Sequence, residues 1–483
     1  GIYSYRLNMW SYTSGTCSFD LTMSAHDWEG IVEVTGFTSS TAVTVTVKEE
    51  LAATTATKDW AEGSWSDVRG WPVCSTFFQN RLWFGSTISQ PNLPWGSKTD
   101  DYGNFGQSTP SVDDDMVAAP LVTRQVNAIR SMVALGEILA FTASSEWRID
   151  AASGGVVTPS NVIARTQGYR GASMVDPVMI GNRIVFVQAQ GSVVRDIGYK
   201  FDEDVYTGSD LTILATHLFR NHRIIDMCYQ REPQSIIWCV RDDGILLGLT
   251  YLKEQEVWAW HWHVTDGEFE SVASITGATR NELWAVVKRT VGGQTRRFIE
   301  RLSESVKTQD VKEQTHLDCF LTYRGAATTT ISGLGHLEGK SVVALADGSV
   351  VRNLTVTGGE ITLPVEAEIV HVGLPYTCDL ELPDVELQLK DGTVQGRLKK
   401  VSNVVLRLQD ARGGKVGTSF SGVLDDIPED APPVYGEPIP LFSGEKSVIV
   451  PGDYDTRGRV VIRQDDPLPL TVLAVIREVT LGG

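Results

Sequence analysis

No stretch of this chain approaches the roughly eighteen consecutive apolar residues of a membrane-crossing helix, so none is expected. Its six cysteines, Cys17, Cys74, Cys228, Cys239, Cys319 and Cys378, are scattered and form no CxxC pair. That spacing argues against a disulfide framework or a zinc site and for free thiols. Helical periodicity is nearly absent over any window of about twelve residues. GxSxG and HExxH are both missing, which removes the commonest hydrolase elbow and the zincin helix.

A surplus of basic charge is missing too. The formal net charge is −18. Residues 1–70 carry 4 basic and 9 acidic side chains, residues 71–302 carry 21 and 25, and residues 303–483 carry 17 and 26. Phosphate binding draws on clustered Lys and Arg, and no region offers them. Acid spread along the whole chain suits solubility and a surface to which nucleic acid does not adhere.

What the sequence does hold is strand and turn. Its 483 residues suffice for several domains, and 42% hydrophobic with 21% charged content reads as globular. Forty-five glycines and nineteen prolines supply many turns, as all-β proteins need. The opening residues, GIYSYRLNMW, read as mid-strand from Gly1 onward, so natural sequence is expected upstream. IVEVTGFTSSTAVTVTVKEEL alternates over a hairpin length and predicts a small β unit in residues 1–70. KDWAEGSWSDVRGWP links that unit to a region rich in tryptophan.

Nine of the thirteen tryptophans lie between Trp71 and Trp284, and none in the last 199 residues. Inside that region a unit recurs. RLWFGS (81–86), EILAFTAS (137–144), NRIVFVQA (182–189), QSIIWCVR (234–241) and NELWAVVK (281–288) are each a short apolar and aromatic strand. Their central residues Leu82, Leu139, Ile184, Ile237 and Leu283 are 57, 45, 53 and 46 residues apart. Each has an upstream strand, such as VCSTFFQ, and a downstream one, such as PWGSKT. Strand groups at about this period are the signature of propeller blades, which bury both faces only when stacked. The fold class predicted is all-β: a five- or six-bladed β-propeller over 71–302, a small β-barrel or sandwich over 303–395, and a C-terminal β-sandwich over 396–483. In the first repeat, Leu82 and Phe84 should share one face and Trp83 the other.

Four features invite a chemical reading. GHLEGKS (335–341) is close to a phosphate-binding loop, but Gly335 and Gly339 have three residues between them where the loop needs four, and a strand comes after it instead of a helix. His261 and His263, on one strand face, could join Asp266 at a metal; hydrogen bonds to neighbours are the favoured reading. Asp113, Asp114 and Asp115 lack the EF-hand spacing, so a solvated loop is favoured over Ca²⁺. The aromatics of WAWHWH could line a sugar site but are expected to pack between blades. A carboxylate pair for glycoside hydrolysis is defined by distance in space and is not readable here. No catalytic, cofactor-binding or metal-binding residue is therefore singled out, and no cofactor is expected.

The lines WAEGSWSDVRGWP, FFQNRLWFGST, PWGSKTDDYGNF, VNAIRSMVAL and EWRI resemble a family of tail proteins from short-tailed bacteriophages. GLTYLKEQEVWAWHWHVTDGEFESVASI, HLEGKSVVALADG and QDDPLPLTVLAVIREV extend the resemblance to the C-terminus. The family is the tail nozzle, or tubular tail, protein. The resemblance implies a structural virion protein and no enzyme. It implies six copies in a ring below the portal and adaptor that continue the DNA channel and gate it for genome ejection. It further implies a peripheral propeller, a platform built from both chain ends against the adaptor, and tail fibres or tailspikes as neighbours. Double-stranded DNA would pass through the lumen without sequence-specific binding, and no membrane anchor is implied. IVEVTGFTSSTAVTVTV also resembles a small β domain of ubiquitin-activating enzymes, a likeness of fold and not of chemistry. The alternatives weighed are a tail-associated glycan hydrolase on a propeller scaffold and a receptor-binding module.

Overall fold

A computed structural model describes residues 30, 32–39, 42–48, 50–51 and 64–482, apart from 109, 123–126, 153, 304–307, 390–391, 433 and 435. The strand read at GIYSYRLNMW and the first part of KDWAEGSWSDVRGWP lie outside the described residues. The chain divides into two compact units, Gly1–Thr212 and Ile213–Gly483. Both are built almost wholly of β-strands; the only α-helix among the described residues is Thr216–Phe219.

The first unit begins with the expected hairpin, Val32–Ser39 against Ala42–Val47. Three antiparallel meanders come next, each with its strands side by side in chain order. The first comprises Cys74–Phe78, Arg81–Gly85, Pro94–Gly96 and Val117–Ala118. The second comprises Ile129–Ala134, Ile138–Thr142, Glu146–Ala151 and Val162–Gly168. The third comprises Val178–Ile180, Arg183–Val187, Val194–Lys200 and Val205–Thr207.

The strand Ile138–Thr142 shows why these sequences are apolar without alternation. Ile138 and Ala140 pack with Trp83, Val117 and Met132 of one core cluster. Leu139 and Phe141 face the opposite way, into a cluster with Ile184, Phe186 and Tyr206 of the third meander. Every residue of the strand is buried, because side chains alternate between two faces that are both covered. The rings of Phe141 and Phe186 stand 5.0 Å apart at that second face.

The second unit continues the pattern. Its first meander is Ile224–Gln230, Ile236–Arg241, Leu246–Leu252 and Val257–His263. The next has three strands, Glu268–Thr276, Asn281–Val291 and Gln294–Arg301. Trp238, Val240 and Leu246 pack against Val272, Leu283 and Val287 between them. Gly292 and Gly293, at φ of 58° and 76°, make the two-residue turn of the last hairpin, a turn that requires left-handed backbone at both positions. Beyond it, Asp318–Ile331, Ile361–Leu374, Ser341–Ala346 and Ser349–Thr355 form a four-stranded sheet over their own core. Lys399–Ala411 pairs with both Phe442–Ile449 and Thr471–Leu481, while Cys378–Glu381 pairs with Val461–Gln464.

The five repeats read from the sequence thus correspond to five successive meanders. Four of them carry an additional outer strand, of which the sequence reading places only Val257–His263, the strand of His261 and His263. The five described cysteines are all unpaired. Burial pushes the thiols of Cys74, Cys228 and Cys319 up to about 12, so they act as small apolar side chains and not as nucleophiles.

Candidate functional site

Trp83 is fully buried, and its ring lies over Gly96 on the neighbouring strand. A Cβ at Gly96 would come within 2.9 Å of that ring, so the glycine makes the space the indole fills. On the opposite face, Trp65 meets Phe84, Trp95 and Phe105 edge-on, with ring centroids 5.1, 5.7 and 4.7 Å apart. The aromatics of this stretch are packing on both faces, as the alternation of Leu82, Trp83 and Phe84 implied. Phe77 is the exception: it is largely exposed and leans on Tyr102.

In the acidic run Asp113 and Asp114 are exposed, as a solvated loop requires, but Asp115 is not. Asp115 is completely buried. Its carboxylate accepts hydrogen bonds from the Ser108 and Val112 N–H groups and the Ser108 hydroxyl, and Lys98 stands 3.3 Å away. Burial opposes its ionisation, but these donors outweigh it and hold the carboxyl far below the usual range. A second positive charge at the loop is Arg81, itself buried. Its guanidinium donates to the carbonyls of Ser97, Asp115 and Asp113 at 2.6, 2.6 and 2.7 Å. Carbonyls that could have ringed a Ca²⁺ ion are thus spent on an arginine.

His261 and His263 share a face as expected, with Nδ1 of the first 2.9 Å from Nε2 of the second. Trp238 packs against both rings. Asp266 is not their partner: its carboxylate pairs with Lys340 at 2.6 Å. Burial lowers both imidazoles, and the neighbouring His261 adds to the effect on His263, which falls to about 4. Their neutral forms therefore contribute stability that is whole above the unfolded value of about 6.5 and lost as pH falls through the folded values. Denaturant midpoints should drop between about pH 7 and pH 4.5, and the double change His261→Gln, His263→Gln should flatten that drop. Superimposable curves for parent and variant would remove the pair from the acid response.

The same Lys340 settles GHLEGKS. With Lys340 held by Asp266, Glu338 accepts from the Gly358 and Gly359 N–H groups at 2.9 and 2.7 Å. Within the loop itself the Leu337, Gly339 and Lys340 N–H groups donate to the carbonyls of Leu334, Val356 and Leu337, so these donors are already spent. In WAWHWH, Trp260 packs on Phe219 at 4.8 Å and Lys253 lies over Trp258, whereas Trp262 is mostly exposed. Sequence reading overlooked one cluster, His222 with Asp242 and Asp243, whose ligand atoms lie within 4.8 Å of one another. Here again an arginine supplies the charge: Arg241 donates to both oxygens of Asp243.

Repeated antiparallel meanders, with aromatic and aliphatic side chains packed between their faces and buried arginines holding their loops, define an all-β protein built from repeats. The sequence model of the bacteriophage nozzle protein family matches residues 74–368, more than half of the chain, and the chain belongs to that family. It is a structural component of the virion tail. A search of the curated proteins found no match. Among solved structures, Raptor of Chaetomium thermophilum is similar over 63% of this chain, at 10% identity and a TM-score of 0.31. The chain spans 27% of the length of that protein. The GH32 beta-fructofuranosidase of Bombyx mori is similar over 84% of this chain and 91% of its own, at 9% identity and a TM-score of 0.23. Likeness this low carries no argument about fold or activity. Among the described residues, no helix is long and apolar enough to cross a membrane.

Proposed function

We propose that six copies of this chain close into a ring that forms the tail nozzle below the portal and adaptor, continues the DNA channel, and gates it for genome ejection. The observation that carries this reading is the family match across residues 74–368. The meanders between Cys74 and Arg301 support a peripheral β-propeller over residues 71–302, since within each unit neighbouring sheets pack face to face. The small sheets over 303–395 and the long strands over 396–483 would form the remaining domains. The last of these, with the residues before 71, would provide the platform against the adaptor. Tail fibres or tailspikes would be further neighbours. The protein would have no catalytic role.

A net charge of −18 supports a conduit. A basic wall would hold DNA by neutralising its phosphates, while an acidic wall lets it pass. The two alternatives need other things: a glycan hydrolase needs two carboxylates flanking a deep pocket, and a receptor module needs a groove that works without a ring.

The test is assembly. Native mass measurement and negative-stain images of the natural full-length protein should show a hexameric ring. A chain that stays monomeric beside its adaptor would overturn the proposal.

A further inference from the structure

The ends of two outer strands in the first unit enclose an open pocket of about 390 Å³, between Gln167–Arg170 and Val205–Thr207. The backbone N–H of Tyr206 donates to Gln167 Oε1 at 3.0 Å and holds the two walls together. We propose that this pocket binds an acidic saccharide, a sugar ring that carries a carboxylate. The proposal goes beyond the nozzle reading and does not depend on it.

Three observations carry it. The first is Tyr169 on the rim, 85% exposed. Among the described residues, no other ring packs on it. An exposed flat aromatic at a pocket mouth offers a stacking face to the C–H side of a pyranose.

The second is Arg170, the adjacent wall residue. It forms no ion pair with a described carboxylate, and Arg195 is close enough that, after burial, the charge of Arg170 further lowers it. A guanidinium that makes no ion pair and stands beside a second one is suited to a bidentate carboxylate.

The third is Glu146 beneath the wall. It is 1% exposed, and neither carboxylate oxygen takes a hydrogen bond. The N–H groups of Arg170 and Gly171 stand near it and favour its charged form. Burial raises its carboxyl against their pull and that of the Arg170 charge, which favours the neutral form and leaves Arg170 free for another anion. Gly168 makes this arrangement possible: a Cβ there would lie 2.3 Å from Glu146 Oε2 and 3.2 Å from Arg170 Nη1.

The shape of the pocket selects among anions. Its volume lies at the lower end of the range for small-molecule sites, room for one or two sugar rings. Thr207 lines it with a hydroxyl for a sugar hydroxyl, while the Gln167 amide is spent on the Tyr206 N–H and on the Arg165 and Thr166 carbonyls. A bare inorganic anion would use Arg170 but not Tyr169. A neutral sugar would use Tyr169 but not Arg170. Only a ligand with both a ring face and a carboxylate uses the two together.

The experiment is titration calorimetry on the intact protein with trigalacturonic acid, maltotriose and inorganic phosphate. Trigalacturonic acid should bind, and maltotriose and phosphate should bind at least several-fold more weakly. Arg170→Gln and Tyr169→Ala should each weaken the acidic trimer by about tenfold, the loss of one charge-assisted or stacking contact. Melting temperatures unchanged from the parent would show that both variants fold. Gly168→Ala, which crowds Glu146 and Arg170, should weaken binding in the same direction. No binding of the trimer, equal binding of maltotriose, or binding that survives Arg170→Gln would each overturn the proposal. Phosphate binding as tightly as the trimer would overturn it too, by marking a plain anion site.

Discussion

Trp83→Ala should destabilise the protein by about 3–5 kcal/mol, the usual range for truncating a buried aromatic. The residue is fully buried among Phe78, Val117, Met132, Ile138 and Trp147, so its removal empties space on two meanders at once. Its indole N–H also faces the Phe78 carbonyl at 3.3 Å, a contact the alanine cannot replace. Collapse into the gap is restricted, because Gly96 has no side chain to move in. The measurement is the urea midpoint of the intact chain, compared with Trp262→Ala as a control. Trp262 is 59% exposed, and its truncation should change stability by well under about 1 kcal/mol. Equal shifts for the two variants would dissolve the packing role assigned to Trp83.

Arg81→Leu should be as damaging, at about 3–5 kcal/mol, the range for breaking a buried charged network on one side. The leucine fills part of the volume but leaves the carbonyls of Ser97, Asp113 and Asp115 without their donor. Burial lowers Arg81, with Asp114 and Asp115 opposing that effect, and the guanidinium stays charged at any ordinary pH. Arg81→Lys should recover only part of the loss, because a single ammonium cannot match three carbonyls met by a planar fork. Millimolar Ca²⁺ should restore nothing to either variant. Restoration of the midpoint by Ca²⁺ would show that the loop is a cation site after all, and that the arginine merely substitutes for the ion.

These two residues also mark what could be read from the sequence and what could not. The strand at Trp83 was legible because alternation needs only local spacing, and five copies of the pattern repeat it. The face shared by His261 and His263 came from the same period of two. The buried arginine was not legible. Its acceptors come from Ser97 and from a loop 32 to 34 residues further on, and nothing in Arg81 itself points there. Asp115 misled for the converse reason: three consecutive aspartates look solvated until backbone N–H groups are known to converge on one of them. Apart from Val257–His263, the outer strands escaped notice because they are short, as at Val117–Ala118, or polar, as in the VIARTQG of Val162–Gly168. The pocket beside Tyr169 joins two such strands, so it was doubly hidden.

The meanders have a consequence for how the chain is made. Every strand pair from Cys74 to Arg301 joins neighbours in sequence, so each sheet needs only short loops to close and can form without waiting for distant residues. During synthesis these sheets can appear one after another behind the ribosome. The C-terminal sheets are different. Lys399–Ala411 must wait for Thr471–Leu481, and Cys378–Glu381 for Val461–Gln464. These last pairings wait for Gln464 and Leu481, so the surface they build is completed well after the meanders are in place.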